Sequence, residues 1–229
     1  MTSEGYFALT RRWIERVGFV FEESEHALTP TLSRGEREAD FAIPGDWSSL
    51  GYLLALSWVS GAPVERIAFG TGHPDEAIVG LLRGVGLQVA PHPGPLPALQ
   101  GEGVRGFDVD CELCPDSIPT LAAIATKLPA PSIFRRTGIL RHKESDRLAG
   151  IRELISTAEG DDTLTVRPGS ISAFRFDPHD DHRLAMSAAV LARLHDVKLT
   201  LRGMNCVAKS FPAFWTEAAQ AGLQVEEWR

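Results

Sequence analysis

Basic residues are in the minority, with 23 Lys and Arg against 30 Asp and Glu in 229 residues and a formal net charge of −7. Binding the backbone of a nucleic acid needs a basic surface, so this balance excludes a nucleic-acid partner and requires any anionic ligand to be held by a local cluster of cations. Long apolar runs are missing too. None approaches the roughly 18 residues that span a bilayer, and Met1-Thr2-Ser3-Glu4-Gly5 lacks the basic and then apolar regions of a signal peptide. No membrane association is expected, and the cytoplasm is the expected location. Cysteine is scarce: three, an odd number, make no disulfide framework. Cys111 and Cys114 form a CxxC with no second ligand pair after it, so they read as core or strand-end cysteines rather than a metal or redox site.

The 44% hydrophobic content is enough for one large domain, or for one domain plus a fragment. One pattern recurs, an amphipathic helix that ends in Gly and is followed at once by an alternating strand. It appears at Trp13–Phe21, Leu81–Val89 and Glu217–Val225, with a weaker copy from Ile151 to Val166 in which Gly160 is the expected helix stop. Glycine suits a helix end because the next residue often takes positive φ. The intervals between these glycines are 68, 74 and 62 residues, too long for a solenoid but suited to a unit of two helices and several strands. Three such units and a leading fragment are expected. Further helices are expected near 49–59, 117–127 and 183–195, and strands near 64–69, 105–111, 131–135 and 197–202, a mixed α/β class.

Segments 28–36 and 96–102 each follow a helix-Gly-strand unit and carry prolines where a second hairpin strand should begin. Proline removes a ladder donor, so they read as hairpin tips or insertions rather than central strands. Their mutual likeness suggests one short element inserted twice.

The residues suited to chemistry fall in five stretches, nearly all at the start of an expected helix: Gly45–Ser49, Pro115–Ser117, Arg141–Arg147, Asp180–Arg183 and Lys209–Pro212. A helix N-terminus offers unpaired N–H groups and a partial positive charge. Five such ends bearing Lys or Arg form an anion pocket if they converge. Each stretch also has a plainer reading. Asp116 or Ser117 could cap the helix that Pro119 helps to start, and Ser48 and Ser210 read as caps under either view. Asp181 with Arg183, and Glu144 with Arg147, could be surface ion pairs. His182 alone reads as a satisfied structural histidine.

Taken together, Lys143-Glu144-Ser145-Asp146-Arg147, Asp181-His182-Arg183-Leu184-Ala185-Met186 and Lys209-Ser210-Phe211-Pro212 resemble, in order and spacing, the motifs of the 5-enolpyruvylshikimate-3-phosphate synthase family. Gly45-Asp46-Trp47-Ser48-Ser49 and Pro115-Asp116 match that family as well. The sister family that transfers enolpyruvate to UDP-N-acetylglucosamine is similar, but the Lys-Glu-Ser-Asp-Arg block favours the shikimate branch. The resemblance implies transfer of the enolpyruvyl group of phosphoenolpyruvate to the 5-hydroxyl of shikimate 3-phosphate, with release of phosphate and with no metal or cofactor. It implies Asp116 as the base for the hydroxyl proton and Glu144 as the acid acting on the phosphoenolpyruvate methylene. Two carboxyl groups in opposite protonation states suit that task. It implies Arg147, Arg183 and Lys209 as phosphoenolpyruvate ligands, and Ser3, Tyr6, Asp116 and Lys143 on the shikimate 3-phosphate side. Ile139 departs from the pattern, standing where a polar substrate contact is expected.

The family's plan is two similar lobes, each of three β-α-β-α-β-β units in an inside-out α/β barrel arrangement, that close over substrate. By that plan, residues 1–44 are a remnant of the first lobe's last unit, a helix plus a hairpin, and residues 45–229 are the second lobe. The first-half motifs, which supply another lysine and arginine for phosphoenolpyruvate, are not found in this sequence. Three readings stand open: one half of a split transferase whose first lobe is a separate chain, a truncated inactive homologue, and an anion-binding or interaction module.

Overall fold

The computed structural model describes residues 4–16, 20–23, 28–31, 45–61, 64, 68–85, 105–155, 157–160 and 162–228. Helix α1 (Glu4–Arg16) precedes an antiparallel two-stranded hairpin of β1 (Val20–Glu23) and β2 (Leu28–Thr31), with Pro30 opposite Phe21. Each strand of a two-stranded sheet is an edge, where a missing donor is tolerated. The remainder of segment 28–36, all of 96–102, and Ser3 lie outside the described residues.

Beyond the hairpin come α2 (Trp47–Ser60) and, after a short 3-10 turn at Pro74–Glu76, α3 (Ala77–Gly84). The expected strand at 64–69 is not formed at 64, 68 and 69, and 65–67 lie outside the described residues. The next stretch is one full β-α-β-α-β-β path: β3 (Asp108–Asp110), α4 (Ile118–Ala125), β4 (Ser132–Arg135), α5 (Arg147–Leu154), β5 (Thr157–Gly160) and β6 (Thr163–Val166). Its sheet has the order β3-β4-β6-β5, with β3 and β4 parallel and the other two pairings antiparallel. The path then begins again as β7 (Phe174–Phe176), α6 (His182–His195), β8 (Leu199–Arg202), α7 (Phe214–Gln220) and β9 (Val225–Trp228), whose three strands are all parallel. The α/β class with a repeated unit is the one expected.

The core lies between helices. Every residue of α4 is buried, because Ile-Pro-Thr-Leu-Ala-Ala-Ile-Ala presents no charged face and such a helix must be covered all round. It packs against α6, which also packs against α2, and Ala185, Ala188, Ala189 and Ala192 of α6 keep that centre narrow. Helix α5 also meets α6: a β-carbon on Gly150 would lie 2.4 Å from Leu184 Cδ1, so any other residue there would push the leucine side chain aside. This approach sets Arg147 and Arg183, each at the first turn of its helix, side by side.

Some local expectations are corrected. Gly160 does not stop a helix: α5 ends at Leu154, and Gly160 closes the β5-β6 hairpin opposite Thr163. Gly222 does follow α7, at φ 88°. Asp46 rather than Ser48 caps α2, accepting from the N–H groups of Ser48 and Ser49. Ser210 does not start a helix: it closes the 3-10 turn Met204–Lys209, its N–H donating to the Val207 carbonyl, and α7 starts after Ala213. Neither Asp116 nor Ser117 caps α4, and the Ser117 hydroxyl is buried without a partner among the described residues.

Candidate functional site

The helix starts do converge. Asp116, two residues before α4, is surrounded by Arg147 Nη1 at 2.7 Å from Oδ1, Lys143 Nζ at 3.4 Å from Oδ1, and Arg183 Nη2 at 3.2 Å from Oδ2. Burial pushes its carboxyl up, but Arg183, Arg147 and Lys143 outweigh burial and hold it below the usual range. Asp116 is therefore a carboxylate at neutral pH.

Arg147 is the centre of the cluster and is completely buried. Its Nε donates to Asp181 Oδ2 at 2.9 Å, its Nη1 donates to Asp116, and its Nη2 donates to Glu144 Oε2. A guanidinium can be buried this way because its planar fork meets several carboxylates at once. Asp181 is equally buried. It accepts from Ser145 Oγ at 2.9 Å, and its other oxygen caps α6 through the N–H groups of Arg183 and Leu184. Burial raises the Asp181 pKa, and Arg147 with these donors more than reverses the rise. Asp181 therefore ties α5 to α6 and is not a surface ion pair with Arg183. Glu144, by contrast, keeps 47% of its side chain exposed.

Two predicted residues stand apart from Asp116. Lys209 lies on the 3-10 turn packed against α6, with Nζ 2.8 Å from the Asp180 carbonyl and 45% of its side chain exposed. Tyr6 reaches the site from α1: its hydroxyl donates to Asp75 Oδ2 at 2.7 Å, and the Lys143 ammonium lies 6.0 Å from its ring centroid. Helix α1 is held further by Arg12 Nη1, which donates to the Thr71 carbonyl at 3.3 Å. Ile139 is buried in the core, so that position offers no polar group. His182 is not satisfied as expected. Its Nδ1 is buried without a partner among the described residues, and burial, then Arg183, lowers its pKa.

Asp75 was not singled out by sequence. It is fully buried beside this cluster, and burial raises its pKa against the hydroxyls of Ser48 and Tyr6, with Asp116 adding to the rise. His-Pro-Asp-Glu reads only as a helix start, and nothing local shows that the turn is covered. The environments thus push two carboxyls apart, Asp116 down and Asp75 up. Cys111 and Cys114 are buried, and burial pushes the Cys111 thiol up to about 12 and that of Cys114 higher, the reverse of an activated CxxC. Among the described residues no group of His, Cys, Asp and Glu could hold a metal ion, and no helix is long and apolar enough to cross a membrane.

The arrangement sets three cations against three carboxylates at the gathered starts of α4, α5 and α6, with Glu144 the most exposed carboxylate and Lys209 at the margin. Glu144 is the partner of Arg147 that costs least to move into water. Comparisons with known proteins point the same way. A family model described as EPSP synthase (3-phosphoshikimate 1-carboxyvinyltransferase) matches residues 1–217. The chain is 32% identical over 217 residues to the 3-phosphoshikimate 1-carboxyvinyltransferase of Methanosphaerula palustris, covering 92% of this chain and 49% of that protein. It is 34% identical over 200 residues to the enzyme of the same name from Methanoculleus marisnigri, covering 83% and 46%. The solved structure of EPSP synthase from Acinetobacter baumannii superimposes with a TM-score of 0.68 at 19% identity, covering 94% of this chain and 54% of that one. The chain spans about half the length of the curated relatives it matches.

Proposed function

The chain belongs to the EPSP synthase family, and on that premise we propose that it carries one half of a carboxyvinyl-transfer site. The reaction proposed is transfer of the enolpyruvyl group of phosphoenolpyruvate to the 5-hydroxyl of shikimate 3-phosphate, releasing phosphate. The observation that supports it is the convergence of Lys143, Arg147 and Arg183 on one ionised carboxylate, Asp116. Asp116 accepts the proton of the attacking hydroxyl, with Lys143 beside it on the shikimate 3-phosphate side together with Tyr6 and Ser3. Arg183, Arg147 and Lys209 receive the phosphate and carboxylate of phosphoenolpyruvate. That anion displaces the Glu144 carboxylate from Arg147, and the released, solvent-exposed Glu144 takes up a proton from water before donating it as the acid to the methylene carbon. Exchange of one anion for another leaves the preorganised guanidinium with a charge-assisted partner throughout.

We further propose that residues 45–229 form the second lobe and residues 1–44 the end of the first. One full β-α-β-α-β-β path and a second that runs β-α-β-α-β support this, lying after residue 45 while α1 is docked through the side chains of Tyr6 and Arg12. Turnover on this reading needs the complementary half that the relatives carry, with the cytoplasm as its compartment. The test is phosphate release from phosphoenolpyruvate and shikimate 3-phosphate by the full chain combined with a polypeptide bearing the first-half motifs. Asp116→Asn and Glu144→Gln should each lower turnover by about 10² to 10⁴, the usual share of general acid–base catalysis. Undiminished rates in both variants would show that these carboxylates only balance charge.

A further inference from the structure

Asp75 sits where α1, α2 and the 3-10 turn Pro74–Glu76 meet, and the reading above gives it no task. A fully buried carboxylate is costly unless its oxygens are hydrogen-bonded. Oδ2 accepts from the Tyr6 hydroxyl of α1 at 2.7 Å and from the Ser48 hydroxyl of α2, while Oδ1 is buried without a partner among the described residues. The turn that carries Asp75 is itself held firmly. His73 Nδ1 accepts from the Asp75 N–H at 3.1 Å, which leaves Nε2–H facing Asp46 Oδ1 at 3.3 Å. Glu76 accepts from the N–H groups of Gly70 at 2.7 Å and Thr71 at 3.1 Å.

From this support a line of contacts runs to the candidate base. The Tyr6 ring, anchored at its hydroxyl, lies under the Lys143 ammonium at 6.0 Å from the centroid, within reach of a cation–π attraction. The same ammonium lies 3.4 Å from Asp116 Oδ1. Without Asp75 the Tyr6 hydroxyl loses its carboxylate acceptor and the ring keeps only its edge-to-face contact with His73, 5.7 Å between centroids, so one of the two groups that place a flexible lysine is loosened.

We infer that Asp75 is a positioning residue of this site, fixing the ring of Tyr6 and through it the ammonium of Lys143 beside Asp116. The inference takes its substrate from the carboxyvinyl-transfer reading and its geometry from the contacts alone. It can be tested on the full chain, which has two tyrosines, Tyr6 and Tyr52. Labelling tyrosine Cζ with carbon-13 gives two resonances, and Tyr6→Phe assigns them. Asp75→Ala, or Asp75→Leu where alanine does not fold by circular dichroism, should shift the Tyr6 resonance. It should also weaken calorimetric binding of shikimate 3-phosphate by about tenfold, the scale of one lost hydrogen bond to a charged group. Asp75→Asn keeps an acceptor for both hydroxyls and should return the resonance, with affinity within about threefold of wild type. In a Tyr6→Phe background the Asp75 substitutions should add little, since the two act as a unit.

A Tyr6 resonance unmoved by Asp75→Ala or Asp75→Leu overturns the inference. So does an affinity loss of the same size with and without the Tyr6 hydroxyl, which would make Asp75 a fold support only. Should the wild-type chain combined with a polypeptide bearing the first-half motifs bind no shikimate 3-phosphate at millimolar concentration, the transfer reading fails while the resonance still decides the role of Asp75.

Discussion

The start of α5 and the turn before α7 each carry one cation that sequence assigns to the same anion, and the fold treats them in opposite ways. Arg147 is completely buried and bonded to Asp116, Glu144 and Asp181, whereas Lys209 is nearly half exposed and rests on the Asp180 carbonyl. The difference follows from what lies above each side chain. Arg147 is pressed between α4, α5 and α6, where an unpaired charge is prohibitive and every donor must find a carboxylate. Lys209 projects from a turn, so water already solvates it. One cation is therefore part of the packed structure, and the other is held at its surface.

The sharpest way to break this comparison is Arg147→Ala. It strands Asp116 and Asp181 with reduced compensation and should cost about 3–5 kcal/mol of unfolding free energy, the usual effect of removing one partner from a buried ionic cluster. Urea denaturation followed by circular dichroism measures it, and a loss below about 1 kcal/mol would show that Arg147 is not central to the packing.

A second difference should appear in acid. Asp116 and Asp181 have pKa values depressed below the unfolded value of 3.8, so the folded state binds fewer protons than the unfolded state as pH falls through the carboxylate range. Their stabilisation is complete above that value and is lost as pH falls through their folded pKa values. Denaturation curves from pH 6 to pH 2.5 should therefore steepen in their fall below pH 4, and Asp181→Asn should flatten part of that fall. Lys209→Ala should leave the curve's shape unchanged.

The smallest effect on stability is expected from Lys209→Ala itself, within about 0.5 kcal/mol, as for surface substitutions generally. In the reconstituted enzyme the same change should raise the KM for phosphoenolpyruvate by about tenfold, in keeping with loss of one charge-assisted contact. A Lys209→Ala variant that is destabilised but kinetically normal would reverse the assignment of the two cations.

Much of this was legible in the sequence. Strands β3 and β4 and the helix between them follow from strand segments expected near 105–111 and 131–135 and from Ile118–Ala125, whose lack of charge announces burial, whereas β5 lies in a stretch read as helix. Asp116, Lys143, Arg147 and Arg183 were legible as residues at or near helix starts that form an anion pocket if they converge, and each of the three cations lies within 3.4 Å of Asp116. The misreadings have a common cause. Asp181 was read as a partner of Arg183 because the two are neighbours in sequence, yet its side chain turns to Arg147, 34 residues away. Gly160 was read as a helix stop because a glycine serves a tight hairpin as well as a helix end. Asp75 was passed over because its partners, Tyr6 and Ser48, are 69 and 27 residues distant.

The sequence by itself determined the family, the class of fold and the chemical kinds available to the site, because periodicity, helix punctuation and motif order are local properties of the chain. Only the tertiary structure decided which cation is buried and which is open, which carboxyl is held ionised and which is pushed up, and that a buried aspartate anchors the tyrosine of α1. Those outcomes depend on how much water each charge retains and on the distance to charges far away in sequence, and neither exists until the helices have packed.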